Sequence, residues 1–237
     1  MSTPTVVLVH GAFADASSWS GVIAELRAQG IPVTAPPNPL RGLASDAAYI
    51  ASVAAQTDGP VVLVGHSYGG AVITVAGTAA ENVAGLVYVA AYMLDVDESL
   101  GELQGRFPLT PLASHLRPWS YPTASGAATE VTIQADAFPG IFAADVPTAT
   151  TEILALSQRP LAAAAFEEKA AGAAWRTTPT WAIVATADQA INPDVQRFGA
   201  ERAGAKSTEL AGASHAVAVS RAKEVADVIA EAVRSVG

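Results

Sequence analysis

Gly-His-Ser-Tyr-Gly at residues 65–69 is the stretch of sequence that constrains the fold most. It follows an apolar run at 61–64, typical of a buried strand, and precedes small residues at 68–80, typical of a helix. A serine between a strand and a helix adopts a strained backbone that exposes its hydroxyl, and the residues two positions away must be small. Gly65 and Gly69 meet that requirement. The sequence therefore predicts that Ser67 is a nucleophile.

Apolar runs alternate with helix-period segments on both sides of this motif. Strands are predicted at 6–9, 31–35, 61–64, 86–90, 180–185 and 207–210, and helices at 19–26, 45–56, 68–80, 193–203 and 222–233. The strands lack alternation, which indicates burial on both faces. The predicted fold class is α/β, with a mostly parallel, doubly wound sheet. The predicted core comprises residues 1–93 and 176–237.

Residues 94–175 interrupt this alternation. The segment contains no convincing buried strand, and it carries seven prolines, at positions 108, 111, 118, 122, 139, 147 and 160. Structureless loops of this length are rare in compact domains. We therefore expect 94–175 to be an inserted lid, or cap, of short helices above the sheet.

The composition narrows the class of protein. The chain has 237 residues, of which 51% are hydrophobic and 15% charged, so it can bury a sizeable core. Its net charge of -9 argues against nucleic acid or an anionic membrane as a partner. It has no cysteine, which excludes disulfides, thiolate metal sites and a cysteine nucleophile. The longest charge-free apolar run, 83–94, is too short to span a bilayer, and the first residues do not resemble a signal peptide. We expect a cytoplasmic protein with a small-molecule substrate; the oligomeric state stays open.

A serine hydroxyl needs a base, and the chain offers four histidines. His10 ends the first predicted strand, and His66 adjoins Ser67 but should point another way. His115 lies among prolines in the insertion, where we expect it at the surface. His215 lies in the loop between the last strand and the last helix, where it can reach the edge of the sheet. It is the predicted base.

The base in turn needs an acid that fixes its tautomer. Asp188 comes just after the predicted strand at 180–185, which gives the chain order serine, aspartate, histidine. Asp95 and Asp97 also follow a predicted strand and are the competing candidates. Together with Glu98 they are better interpreted as a solvated acidic loop. Asp188 is the predicted acid.

A developing oxyanion requires a pair of N–H donors. One should be the amide of Tyr68, the residue after the nucleophile. The other should come from the loop after the first strand, where Gly11 allows a sharp turn. The Ala12 amide is the first choice there and the Phe13 amide the second.

These motifs resemble those of the α/β-hydrolase fold family, notably small bacterial esterase-like hydrolases related to plant methyl-ester esterases and hydroxynitrile lyases. The resemblance runs from the first strand to the last helix. It is carried by Val-Leu-Val-His-Gly-Ala-Phe at 7–13, Gly-His-Ser-Tyr-Gly-Gly at 65–70, Leu-Val-Tyr-Val-Ala-Ala-Tyr at 86–92, Ala-Thr-Ala-Asp at 185–188 and Ala-Ser-His at 213–215. It implies Ser67, Asp188 and His215 as the catalytic triad, and a helical lid between the sixth and seventh strands.

Two departures narrow the reaction that the resemblance implies. Dehalogenases and epoxide hydrolases of this fold have an aspartate where this chain has Ser67. Plant-type hydroxynitrile lyases use a lysine near the site, and neither Lys169, Lys206 nor Lys223 occupies the expected place. No histidine pair has metal-ligand spacing, and no glycine-rich phosphate loop follows a strand.

The expected function is therefore a serine hydrolase that cleaves a small, largely apolar carboxylic ester or lactone through an acyl-enzyme. It should need no cofactor and no metal. Two alternatives stay open: another reaction on the same triad, such as perhydrolysis or a lyase reaction, and a non-catalytic receptor for a small molecule.

Overall fold

The computed structural model describes residues 3–237, so Met1 and Ser2 of the predicted core lie outside the described residues. The first part of the chain alternates strands with helices, as the apolar pattern predicts. Its elements are β1 (Thr5–Val9), α1 (Ser20–Ala28), β2 (Val33–Thr34), α2 (Leu43–Ala55), β3 (Val61–His66), α3 (Tyr68–Ala76) and β4 (Val83–Val89).

The segment after β4 mixes short helices with strands. It forms α4 (Leu100–Gln104), β5 (Leu116–Thr123), β6 (Gly126–Ile133), α5 (Phe138–Phe142), α6 (Thr148–Leu156) and β7 (Leu161–Ala162). Alternation then resumes with β8 (Thr180–Ala185), α7 (Pro193–Arg202), β9 (Lys206–Leu210), α8 (Val217–Ser220) and α9 (Ala222–Val236).

Six strands form the central sheet in the order β2-β1-β3-β4-β8-β9, and every pair is parallel. This confirms the predicted α/β class with a doubly wound parallel sheet. The strand order reverses between β1 and β3, because the chain builds outward to β2 and then returns to the other side of β1. Crevices form at such a switch point, outside the carboxyl ends of the strands. The loop after β1 and the turn after β3 meet there.

Successive side chains of each central strand enter two different hydrophobic clusters. Val7 and Leu63 pack on one face with residues of α2 and α3, whereas Val6 and Val62 pack on the other with residues of α1 and α9. All four are fully buried. Burial on both faces explains why the strands read as continuous apolar runs.

The expectation that 94–175 contains only short helices is wrong. Besides α4, α5 and α6 it holds a three-stranded antiparallel sheet in the order β5-β6-β7. β5 is an edge strand that is mostly exposed and contains Pro118 and Pro122. An edge strand tolerates prolines and exposed side chains, but a sequence with both lacks the apolar pattern by which strands are recognised.

The position of the insertion also differs from the strand count that the family resemblance implied. It follows the fourth strand of the central sheet in chain order, β4, and precedes the fifth, β8. That 94–175 is a unit of its own stays a prediction. Arg41, just before α2, contacts the antiparallel pair of strands β5 and β6: it pairs with Glu130 of β6 at 2.6 Å and stacks on Tyr121 of β5. Among residues 3–237 there is no helix with the length and apolarity needed to cross a membrane.

Candidate active site

Ser67 lies between β3 and α3 with a backbone φ of 55° and ψ of -123°. A positive φ is costly for a residue with a side chain, and such strain concentrates at functional sites. The turn is also crowded. A Cβ on Gly65 would come within 2.4 Å of the Gly69 carbonyl oxygen, and one on Gly69 within 2.4 Å of the Val9 carbonyl oxygen. The two glycines are therefore required for the turn that presents Ser67.

The loops after β8 and β9 bring Asp188 and His215 together. The His215 Nδ1 and the Asp188 Oδ2 are 2.6 Å apart, and both side chains are buried. The backbone amides of Ala190 and Ile191 donate to Asp188 Oδ1 at 2.7 and 2.9 Å. A carboxylate only accepts hydrogen bonds, so in its contact with Asp188 the Nδ1 of His215 carries the ring proton. The Nε2 of His215 is then left with a free lone pair.

Gln196 completes the surroundings of Asp188, and sequence reasoning missed it. Its Nε2 donates to Asp188 Oδ2 at 2.8 Å, while its Oε1 accepts from the Ala185 amide at 2.9 Å. The glutamine amide is thereby fixed in one orientation. The only signal in the sequence was a polar side chain eight residues after the acid, on the helix predicted to begin at Pro193.

One small apolar cavity joins the predicted site residues. Ser67, His215, Ala12 and Tyr68 all line it, and its volume is about 20 Å³. The remaining lining is apolar except for the Tyr92 hydroxyl: Phe13, Tyr92, Leu100, Leu112, Leu161, Phe166, Ala190 and Ile191. The sequence-predicted nucleophile, base and amide donors are therefore neighbours in the folded chain.

The structure distinguishes the two candidates for the amide donor in the loop after β1, Ala12 and Phe13. The Phe13 amide donates to the Arg159 carbonyl at 3.1 Å and is not free. Within the described residues, 3–237, the amides of Ala12 and Tyr68 donate to no backbone carbonyl. A Cβ on Gly11 would lie 2.6 Å from the Cβ of Ser67, so the Ala12 loop runs directly against the serine. This favours Ala12 over Phe13.

The side chain of Tyr68 is held from α2. Its hydroxyl donates to Asp46 at 2.9 Å, and Asp46, fully buried, also accepts from the Arg41 amide. Burial raises the pKa of Asp46 and that of the Tyr68 hydroxyl. This contact fixes Tyr68, the first residue of α3, which lines the cavity.

The other three histidines form hydrogen bonds outside the Ser67 cavity. His10 Nε2 accepts from the Asn38 amide at 2.9 Å, so its Nδ1 donates to the Gly11 carbonyl, and burial lowers its pKa. His66 Nε2 lies 2.8 Å from the His215 carbonyl oxygen. His115, expected at the surface, is half-buried beside the Pro111 carbonyl. Of the four, only His215 lines the cavity of Ser67.

The acidic loop after β4 does not reach this cavity. Asp95 pairs with Arg176 at 2.7 Å, which lowers the Asp95 pKa, and Asp97 is exposed. The interpretation of Glu98 as solvated is wrong: it is only 5% exposed and pairs with Arg202 at 2.6 Å. A buried carboxylate needs a cationic partner, and a partner as distant along the chain as Arg202, 104 positions away, cannot be read from the sequence.

Acid should destabilise the protein through His66. Burial lowers its pKa from 6.5 to about 3, so below pH 6.5 the unfolded chain binds a proton that the folded chain does not. The free energy of unfolding should therefore decrease as the pH is lowered, by up to about 1.4 kcal/mol per pH unit for this group. In His66→Gln that contribution is absent, and urea unfolding between pH 7 and pH 5 should show a shallower decline. If the free energy of unfolding declines equally in the two proteins, the lowered pKa of His66 is contradicted.

The architecture and the site define a class. A serine with positive φ at the carboxyl end of a central parallel strand, next to a histidine–aspartate pair from later loops, is the arrangement of the α/β-hydrolase fold. The model of the Alpha/beta hydrolase family matches residues 6–228, and the chain belongs to that family. No curated protein sequence matches the chain.

Solved structures with esterase-type names share the fold over nearly the whole chain. Polyneuridine aldehyde esterase has a TM-score of 0.82 at 21% identity, covering 97% of this chain and 99% of its own. A pyrethroid hydrolase from Sphingobium faniae JZ-2 has a TM-score of 0.79 at 21% identity, with coverages of 99% and 98%. A methylesterase from Arabidopsis has a TM-score of 0.79 at 18% identity, with coverages of 98% and 99%. At these identities the likeness concerns the fold alone.

Within residues 3–237 no three histidine, aspartate or glutamate side chains are grouped to hold a metal ion. The three lysines form ion pairs with carboxylates at the surface: Lys169 with Glu102, Lys206 with Glu231 and Lys223 with Asp227. None of the three lines the Ser67 cavity.

Proposed function

We propose that this protein is a serine hydrolase that cleaves a small, largely apolar carboxylic ester or lactone through an acyl-enzyme. The observation that carries the proposal is that the strained Ser67 shares a cavity with His215, whose Nδ1 is fixed by Asp188 at 2.6 Å. Esterase-type names among the proteins with this fold are consistent with it.

The proposed mechanism follows from the tautomer of His215, which leaves Nε2 free to accept a proton. His215 Nε2 takes the proton of Ser67 as Oγ attacks the carbonyl carbon, and the amides of Ala12 and Tyr68 donate to the oxyanion. Asp188 stabilises the imidazolium. When the intermediate collapses, His215 gives its proton to the leaving alcohol and the acyl group stays on Ser67. A water, deprotonated by His215, then attacks the acyl-enzyme and releases the acid.

The substrate class follows from the lining of a groove beside the catalytic cavity. The groove has a volume of about 270 Å³ and shares Tyr92, Leu100, Leu112 and Phe166 with that cavity. No charged side chain lines it, and its two polar groups, the Tyr92 hydroxyl and Gln104, hydrogen-bond to each other. The 20 Å³ cavity cannot hold an acyl chain, so the groove is the place for the larger apolar group of the ester.

Narrowing the junction between cavity and groove should shorten the preferred substrate. In Leu112→Trp, kcat/KM for p-nitrophenyl octanoate should fall by about 10- to 100-fold relative to p-nitrophenyl acetate, because the longer chain loses its apolar pocket. Leu156→Trp is the matched control, since Leu156 is 84% exposed on α6. If the ratio of the two esters is the same in both variants, the groove does not hold the substrate.

Reaction with a fluorophosphonate probe, followed by a panel of p-nitrophenyl esters and lactones, tests the function itself. An activated serine should be labelled and the panel turned over. Absence of labelling would favour a non-catalytic receptor. Labelling without turnover of any ester or lactone would indicate another reaction on the same residues.

A further inference from the structure

The peptide bond between His215 and Ala216 is held from both sides. Its carbonyl oxygen lies 2.8 Å from His66 Nε2, at the end of β3. Its N–H belongs to Ala216 and donates to the Phe142 carbonyl of α5 at 2.7 Å. The main chain of the predicted base is thus fixed between the central sheet and the insertion.

The hydrogen bond from His66 fixes the protonation of its own ring. A carbonyl oxygen only accepts, so Nε2 carries the proton and Nδ1 is a bare acceptor. Within the described residues that Nδ1 is buried and has no hydrogen-bond partner. An unsatisfied buried acceptor destabilises the fold, so stability alone does not favour a histidine at this position over an apolar side chain.

Packing keeps the ring of His66 in place. It is 2% exposed and lies between the edges of Trp19 and Phe142, with both ring centroids 6.2 Å away. The His215 ring is closer, at 4.7 Å. A second positive charge at that distance would oppose the imidazolium that His215 forms during the reaction. The burial that keeps His66 neutral removes this conflict.

We propose that His66 is a positioning residue for the base: its Nε2–H holds the His215 carbonyl and so sets the distance between Ser67 and the imidazole. Ser67 and His66 are consecutive, so one strained turn places both the nucleophile and the anchor of the base. The inference rests on the proposed function, because it assigns His215 the role of base.

Two substitutions separate positioning from packing. His66→Leu introduces an apolar side chain of similar size and so removes the donor, whereas the amide of His66→Gln can place an N–H near the position of Nε2. In His66→Leu, kcat should fall by about 100-fold, the effect of a misplacement of about 1 Å. KM should stay within about twofold, because His66 does not line the cavity. His66→Gln should recover most of the lost kcat. Equal losses in both variants, or a loss confined to KM, would overturn the proposal.

A spectroscopic measurement tests the same inference without relying on turnover. The short bond from His215 Nδ1 to Asp188 should give a downfield proton resonance in the wild-type protein. The resonance should shift or broaden in His66→Leu and persist in His66→Gln, with both variants folded by circular dichroism. An unchanged resonance in His66→Leu would refute the positioning role. A wild-type protein that shows the resonance but is inert to esters and to the fluorophosphonate would instead refute the proposed function.

Discussion

Ser67→Ala is expected to abolish ester hydrolysis while the protein stays folded. The loss of kcat should be on the order of 10⁶-fold, the cost of removing the serine of a triad. No other group in the cavity replaces the hydroxyl, because the remaining lining is apolar except for His215 and the Tyr92 hydroxyl. Initial rates with p-nitrophenyl acetate, together with fluorophosphonate labelling, measure the change.

The fold should survive this substitution for a local reason. Alanine keeps the Cβ that packs against Gly11, and it adopts the φ of 55° at the same steric cost as serine. The Tm should therefore stay close to that of the parent. Ser20→Ala, at an exposed serine, controls for the exchange itself. A folded Ser67→Ala protein with activity within tenfold of the parent would remove Ser67 from the role of nucleophile.

Local sequence signals were sufficient for the central sheet and for the turn at Ser67. A parallel strand buried on both faces must be apolar throughout, so Val6 to Val9 and Val61 to Val64 can be recognised without knowing what covers them. The strand-to-helix turn can also be recognised from a short stretch of sequence. A side chain at position 65 would collide with the backbone of Gly69, and one at position 69 with the backbone of Val9 in the adjacent strand, so both positions require glycine.

Contacts between distant segments could not be predicted in the same way. The anchoring of the His215 carbonyl by His66 joins residues 149 positions apart. Glu98 appeared to belong to a solvated acidic loop because Arg202, the more buried of its two arginine partners, is 104 positions away. The strand β5 gave no periodic signal, since an exposed edge strand has no apolar face to reveal it.

Asp188→Asn is expected to lower kcat by about 10⁴-fold, and the surroundings of Asp188 explain why. The asparagine oxygen would keep the bonds from the amides of Ala190 and Ile191, which leaves the new NH₂ group facing His215 and Gln196. A donor opposite His215 Nδ1 forces the ring proton onto Nε2. That nitrogen then cannot take the proton of Ser67.

The amides of Ala190 and Ile191 make the wrong tautomer hard to avoid, because two backbone donors would face the NH₂ group if the asparagine turned over to offer its oxygen to His215. Gln196 Nε2 is also a donor, so in the first orientation it opposes the new NH₂ group. Its amide could accept from that group only by rotating, which would break the bond from the Ala185 amide to its Oε1. Asp188→Ala, which removes the conflicting donor, should cost no more activity than Asp188→Asn if the tautomer is the cause.

Asp95→Asn and Asp97→Asn are the matched controls, because both residues follow β4 as Asp188 follows β8. Neither lines the Ser67 cavity, and the ion pair of Asp95 with Arg176 is a surface contact worth about 1 kcal/mol or less. Both variants should keep kcat close to that of the parent. Measured kcat values on folded proteins decide between the two strands: a large loss in Asp95→Asn or Asp97→Asn, with Asp188→Asn active, would move the acid from β8 to β4.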